Sequence, residues 1–230
     1  MALRILRVGV GLLLGTSGAL MYAASWQRWS SACPWGDADG ELCTRRQDHL
    51  YDFVAPTDPW KPVGDAAQLA GWSLLVLALA FVLLPWALTG RRPDAVSGVA
   101  LAGAVLAQAV MGLATLRSGI AGEVVDPAAP GLAPYVWLFV PPALLIRFAI
   151  AARGPGLAAA ISLVLATPIV SAFTYAIGPY DARPWWEATT GLFTVAAGIC
   201  LLGAAAFDAR SSDRRRATLD RPRSLSAGGR

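Results

Sequence analysis

The chain has 230 residues, of which 15% are charged and 56% hydrophobic, with a formal net charge of +4. The charges are clustered, leaving charge-free runs at 8–27, 66–90, 95–116, 127–146, 154–180 and 188–207. A soluble amphipathic helix needs a polar face and rarely runs about ten residues without charge, so a soluble fold is excluded.

Each run is long enough, at 1.5 Å per residue, to cross a hydrocarbon core of ~30 Å. The expected fold is all-α: a polytopic integral membrane protein with a six-helix transmembrane bundle. The spans are placed at about 5–26, 67–89, 94–116, 134–152, 156–177 and 186–207 within a membrane domain of residues 1–208. A β-barrel is excluded because its spanning strands are only ~10 residues long and alternate in polarity.

The first span carries Arg4 and Arg7 ahead of its apolar run and is read as a retained anchor. The alternative is a secretory signal cleaved near Ala23 and Ser25, which leaves the other five spans oriented as before. Gly11 and Gly15 form a GxxxG motif, extended by Gly18, that suits close helix packing. Trp26, Trp29, Trp60, Trp185 and Trp186 fall near span ends and are read as interfacial anchors.

Residues 27–66 form the first loop. Cys33 and Cys43 are separated by nine residues that include Pro34, Gly36 and Gly40. That spacing permits a structural disulfide in an oxidising compartment. No two-residue-spaced cysteine pair supports redox catalysis. The stretch from Thr44 to Val54 is expected to be a short helix. It holds the polar cluster His49, Asp48 and Asp52, a candidate acid–base group for an external-face enzyme. One histidine cannot supply a multi-His zinc site or a bis-His haem site, and Asp37, Asp39 and Glu41 do not match a calcium loop. No metal, cofactor or catalytic residue is assigned.

Asp65 and Gln68 have capping-box spacing ahead of the second span, while Pro93, Pro155 and Pro184 suit first helical positions. Inside the spans the polar residues are few. Gln108 lies near the centre of the third. Arg147, six residues before Arg153, either snorkels to the headgroups or faces the bundle. Thr167, Ser171 and Thr174 share one face of the fifth span beside Pro168. Together, Arg147, Gln108, Thr167, Ser171 and Thr174 define a candidate transport path.

With the N-terminus inside, 13 of the 19 basic residues lie on the cytoplasmic side and 11 of the 15 acidic residues outside. This positive-inside bias sets both termini in the cytoplasm and the 27–66 loop outside a plasma membrane. The arginine-rich segment 209–230 is expected to be a disordered tail drawn to anionic lipid headgroups. It lacks the folded domain and stacking aromatics of a nucleic-acid binder. Eighteen of the 19 basic residues are arginine, a usage that fits a GC-rich bacterial genome. The first expectation for function is a non-enzymatic envelope assembly or accessory role, with a membrane-protein partner or homo-oligomer. A small-solute transporter or permease subunit is the alternative, and the external-face enzyme a second.

Overall fold

A computed structural model describes residues 2–34, 40–125, 131–170 and 183–219, with 208–219 as backbone. Every regular element among the described residues is helical: α1 (Ala2–Trp29), α2 (Glu41–Arg46), α3 (Ala66–Thr89), α4 (Ala95–Ala121), α5 (Ala133–Ala151), α6 (Pro155–Leu165) and α7 (Trp186–Leu219), with a 3-10 turn at His49–Tyr51. Five of these helices, α1, α3, α4, α5 and α7, are long and apolar enough to cross a bilayer, the pattern of a multi-pass membrane protein.

The expected span at 156–177 departs from this pattern. Helix α6 stops at Leu165 and has 11 residues, about half of what a bilayer crossing needs. Pro168 explains the break: it lacks an N–H for the helical ladder and disfavours helical geometry at Thr167. The helix expected to run through Pro168 is instead interrupted. At the other extreme, α7 runs past the expected end at 207 through Leu219. The arginine-rich segment begins helical because no Gly or Pro lies between Gly203 and Pro222 to stop it.

Local signals were partly misplaced. Asp65 precedes α3 without a side-chain cap bond. Gln68 Nε2 instead donates to the Gly119 carbonyl of α4 at 3.1 Å, and the Asp65 N–H donates to Gln27 Oε1 at 2.7 Å. Helix α4 is capped by Asp94, which accepts from Ser97 N–H at 3.0 Å, so Pro93 lies outside it. Pro155 does open α6. The expected Thr44–Val54 helix begins earlier, at Glu41, ends at Arg46 and gives way to the 3-10 turn.

The helices pack in the order α1, α3, α4, α5, α6, α7, with α7 returning to α1. Glycine decides how close α1 and α7 come. A Cβ on Gly198 would meet the Gly11 carbonyl oxygen at 2.6 Å and the Gly15 amide at 3.0 Å, and Gly18 faces the backbone of Gly191 and Val195. The GxxxG stripe of α1 thus packs within this chain, against glycines of α7 that complete the contact. Gly71 and Gly119 do the same between α3 and α4.

Apolar side chains fill the half of the molecule nearer the two helix ends Ala2 and Leu219. Val10, Leu14, Leu84, Leu145, Ala159, Ala160, Ala197 and Leu201 form one dry cluster there. Toward the opposite end residues 40–65 fold over the helices as a cap. Phe53 packs with Met21, Ala24, Ala67, Ala70 and Met111. The Ala55 N–H donates to Thr115 Oγ1 at 3.0 Å, pinning the cap to α4. Cys33 and Cys43 are joined by a disulfide with Cα atoms 4.7 Å apart. It lies in a small cluster with Trp29, Trp185 and Ala188.

Candidate functional site: a cavity under the cap

The last turn of α1 delivers Arg28 into the protein with no exposed surface. Its Nη1 donates to Asp52 Oδ1 at 2.6 Å and to Glu187 Oε1 at 2.9 Å. Nε and Nη2 donate to the Arg46 carbonyl at 3.1 and 2.9 Å, and Nη2 also reaches the Asp48 carbonyl at 3.3 Å. Trp29 Nε1 donates to the second Glu187 oxygen at 2.7 Å. The guanidinium lies 4.3 Å from the centre of the Trp29 ring. A buried charge survives only when paired and hydrogen-bonded, and here two carboxylates and two carbonyls do that work. One side chain therefore ties the end of α1, the cap and the start of α7 together.

Beside this node is a cavity of about 60 Å³, walled by α1, α3, α4, α5, α6 and the first turns of α7, with Val54 of the cap. That exceeds the room one water needs, about 10–15 Å³. Ser17 and Ser73 lie in its wall and bond reciprocally: each hydroxyl donates to the other residue's carbonyl, at 2.9 and 2.8 Å. Phe81, Leu145 and Leu163 also line it and belong to the dry cluster. The cavity therefore occupies the cap half of the helices and ends on packed apolar side chains.

Of the expected transport path, Gln108 and Thr167 both line this cavity. Gln108 is 5% exposed, and its Nε2 has no hydrogen-bond partner among the described residues. Thr167 Oγ1 donates to the Val164 carbonyl at 2.6 Å. Arg147 is not among the cavity-lining residues. It lies in an open groove between α4 and α5, with its side chain 59% exposed, and pairs with Asp94 Oδ2 at 2.8 Å. The carboxylate stands at the start of α4, where an arginine extending from α5 can reach it. Asp94 has its pKa lowered from 3.8 to about 2 by the Ser97 N–H, then by Arg147 and the Ser97 hydroxyl. Ser171 and Thr174 lie outside the described residues.

The polar cluster of Asp48, His49 and Asp52 is engaged in holding the cap. Asp48 accepts from Leu50 N–H at 2.9 Å and caps the 3-10 turn. Asp52 pairs with Arg28. The exposed His49 ring has Nδ1 3.4 Å from Asp48 Oδ1. Among the described residues, no group of three or more His, Cys, Asp or Glu side chains could hold a metal ion. Cys200 is a free cysteine, half-buried in α7.

The tryptophans are reassigned in part. Trp29 is fully buried, and Trp185 donates from Nε1 to the Cys33 carbonyl at 2.9 Å. Trp186 lines the cavity. Trp26, half-exposed, keeps a perimeter position, edge-on to Trp185. In the sequence Arg28 and Glu187 merely bound charge-free runs, at 8–27 and 188–207. The one signal available was that each sits directly beside a tryptophan at a span end. The chain matches no protein-family model, no curated protein and no solved structure.

Proposed function

We propose that this is a six-span plasma-membrane protein, both termini cytoplasmic, that receives a small solute from the external face. It acts as a non-enzymatic permease or solute-binding subunit. The observation that carries the reading is the blind cavity: polar groups gather in the cap half of the helices, and the half below is closed by apolar packing. A water-filled channel would need a continuous polar path, whereas a binding site or an outward-facing carrier needs a pocket that ends inside. The positive-inside bias of the loops supports the orientation, with the disulfide on the oxidising side. The span expected at 156–177 extends past Val170, outside the described residues.

The test fills the pocket. Ala166 lines the cavity, so Ala166→Trp occupies it. Small molecules accumulated by cells carrying the wild type, Ala166→Trp or no protein are compared. A solute accumulated only with the wild type supports the reading; identical profiles for wild type and Ala166→Trp overturn it.

A second reading, an accessory role in envelope assembly with a membrane-protein partner, draws on the stiffness of the cap. Disulfide, Arg28 node and the Ala55–Thr115 bond together make a preorganised outer surface. Cross-linking from the cap in intact cells, followed by recovery of a stoichiometric partner, favours this role over solute binding.

A further inference from the structure

Most hydrogen-bond donors around the cavity are committed, and Gln108 points to the kind of molecule that fits. Ser17 and Ser73 satisfy one another. Thr167 donates to the Val164 carbonyl at the end of α6, and Thr190 and Thr194 donate to carbonyls of their own helix, Trp186 and Thr190. Glu187 receives Arg28 on one oxygen and Trp29 on the other. Gln108 differs: its amide is buried in the cavity wall, and Nε2 donates to nothing among the described residues. A buried donor left without an acceptor carries its full desolvation penalty, which a suitable ligand atom removes.

The remaining wall is apolar, including Leu74, Leu77, Phe81, Trp137 and Leu145. We infer that the cavity selects a neutral, largely apolar molecule bearing one hydrogen-bond acceptor of the carbonyl type, docked on the Gln108 amide. The inference rests on the solute-binding reading and deepens it. A cation finds both oxygens of the Glu187 carboxylate already bonded, one to Arg28 and the other to Trp29. An anion finds no cationic side chain in the wall. A polyol would bury several hydroxyls against a wall that is largely apolar. Each of these ligands would give up more hydration than the site returns.

The experiment uses the full chain in detergent and three naphthalene probes of similar size: the ketone 2-acetylnaphthalene, the hydrocarbon 2-isopropylnaphthalene and the anion 2-naphthoate. Stabilisation against thermal unfolding is followed as a function of probe concentration. Partition into micelles is common to all protein variants, so differences between variants report the cavity. The wild type is expected to respond to the ketone at about tenfold lower concentration than to the hydrocarbon, the value of one buried hydrogen bond, and to be unmoved by naphthoate. Gln108→Leu, close in size but without the donor, should erase the ketone preference. Equal responses of the wild type to ketone and hydrocarbon, a preference for naphthoate, or a ketone preference retained by Gln108→Leu overturn the inference. The wild-type comparison alone decides if Gln108→Leu does not fold. The two readings separate cleanly. Binding without ketone preference that disappears in Ala166→Trp removes only the ligand class. Identical responses of wild type and Ala166→Trp to every probe remove the cavity reading and this inference together.

Discussion

Removing the Arg28 guanidinium should be among the most destabilising changes this chain can undergo. Arg28→Met keeps much of the side-chain volume but deletes the cation shared by Glu187 and Asp52. Glu187 is 1% exposed, so its carboxylate would be left buried beside Asp52, and the Arg46 carbonyl would lose two donors. Breaking a buried pair in this way costs about 3–5 kcal/mol. Glu187→Gln is milder, because the amide oxygen can still accept and Arg28 keeps Asp52. Losing one charge-assisted bond costs about 1.5–3 kcal/mol. The double variant leaves no unpaired buried charge at position 187, so its cost should fall short of the sum by about 2 kcal/mol. Equilibrium unfolding of the four proteins in mixed micelles measures the cycle. Additivity within about 0.5 kcal/mol would show that the two side chains do not act as a pair and would refute the node.

Other consequences follow from geometry already described. Gly198→Val should destabilise the α1–α7 contact by about 1–3 kcal/mol, since its Cβ would press on the Gly11 carbonyl. Gly9→Ala, whose Cβ meets open space, should be neutral or slightly stabilising, and thermal unfolding distinguishes the two. Cys33→Ser opens the loop closed by the disulfide and should cost about 2–3 kcal/mol, read by comparing unfolding with and without reductant. Asp94 has a folded pKa below its unfolded one, so its contribution is full above about pH 4 and is lost as pH falls toward 2. A carboxyl NMR titration should place its midpoint near 2, and Arg147→Ala should move it upward; a midpoint near 3.8 in the intact protein contradicts the pairing.

What the sequence disclosed were properties local along the chain. Apolar length is such a property, which is why five long helices fall where charge-free runs predicted them. Cys33 and Cys43 were legible because short loop closure depends on spacing. Gln108 and Thr167 could be recognised as polar groups inside expected spans, though not as neighbours on one cavity, because that depends on which face α4 turns inward and on how the chain leaves α6. Arg28 and Glu187 are 159 residues apart, and nothing in either segment announces the other. The environment of Arg147 was hidden for the same reason: its partner Asp94 lies 53 residues away at a helix start. Pro168 was visible throughout, yet sequence alone does not distinguish a kink from a helix end.

The central proposal is a cavity reached from the external side of the membrane and closed beneath. Single cysteines placed in a Cys200→Ser background test it directly with a membrane-impermeant maleimide. Thr190→Cys, in the cavity wall, should react in intact cells, while Leu201→Cys, in the packed cluster below, should react from neither side of the membrane. An unreactive Thr190→Cys, or one labelled only in inside-out vesicles, would contradict the account.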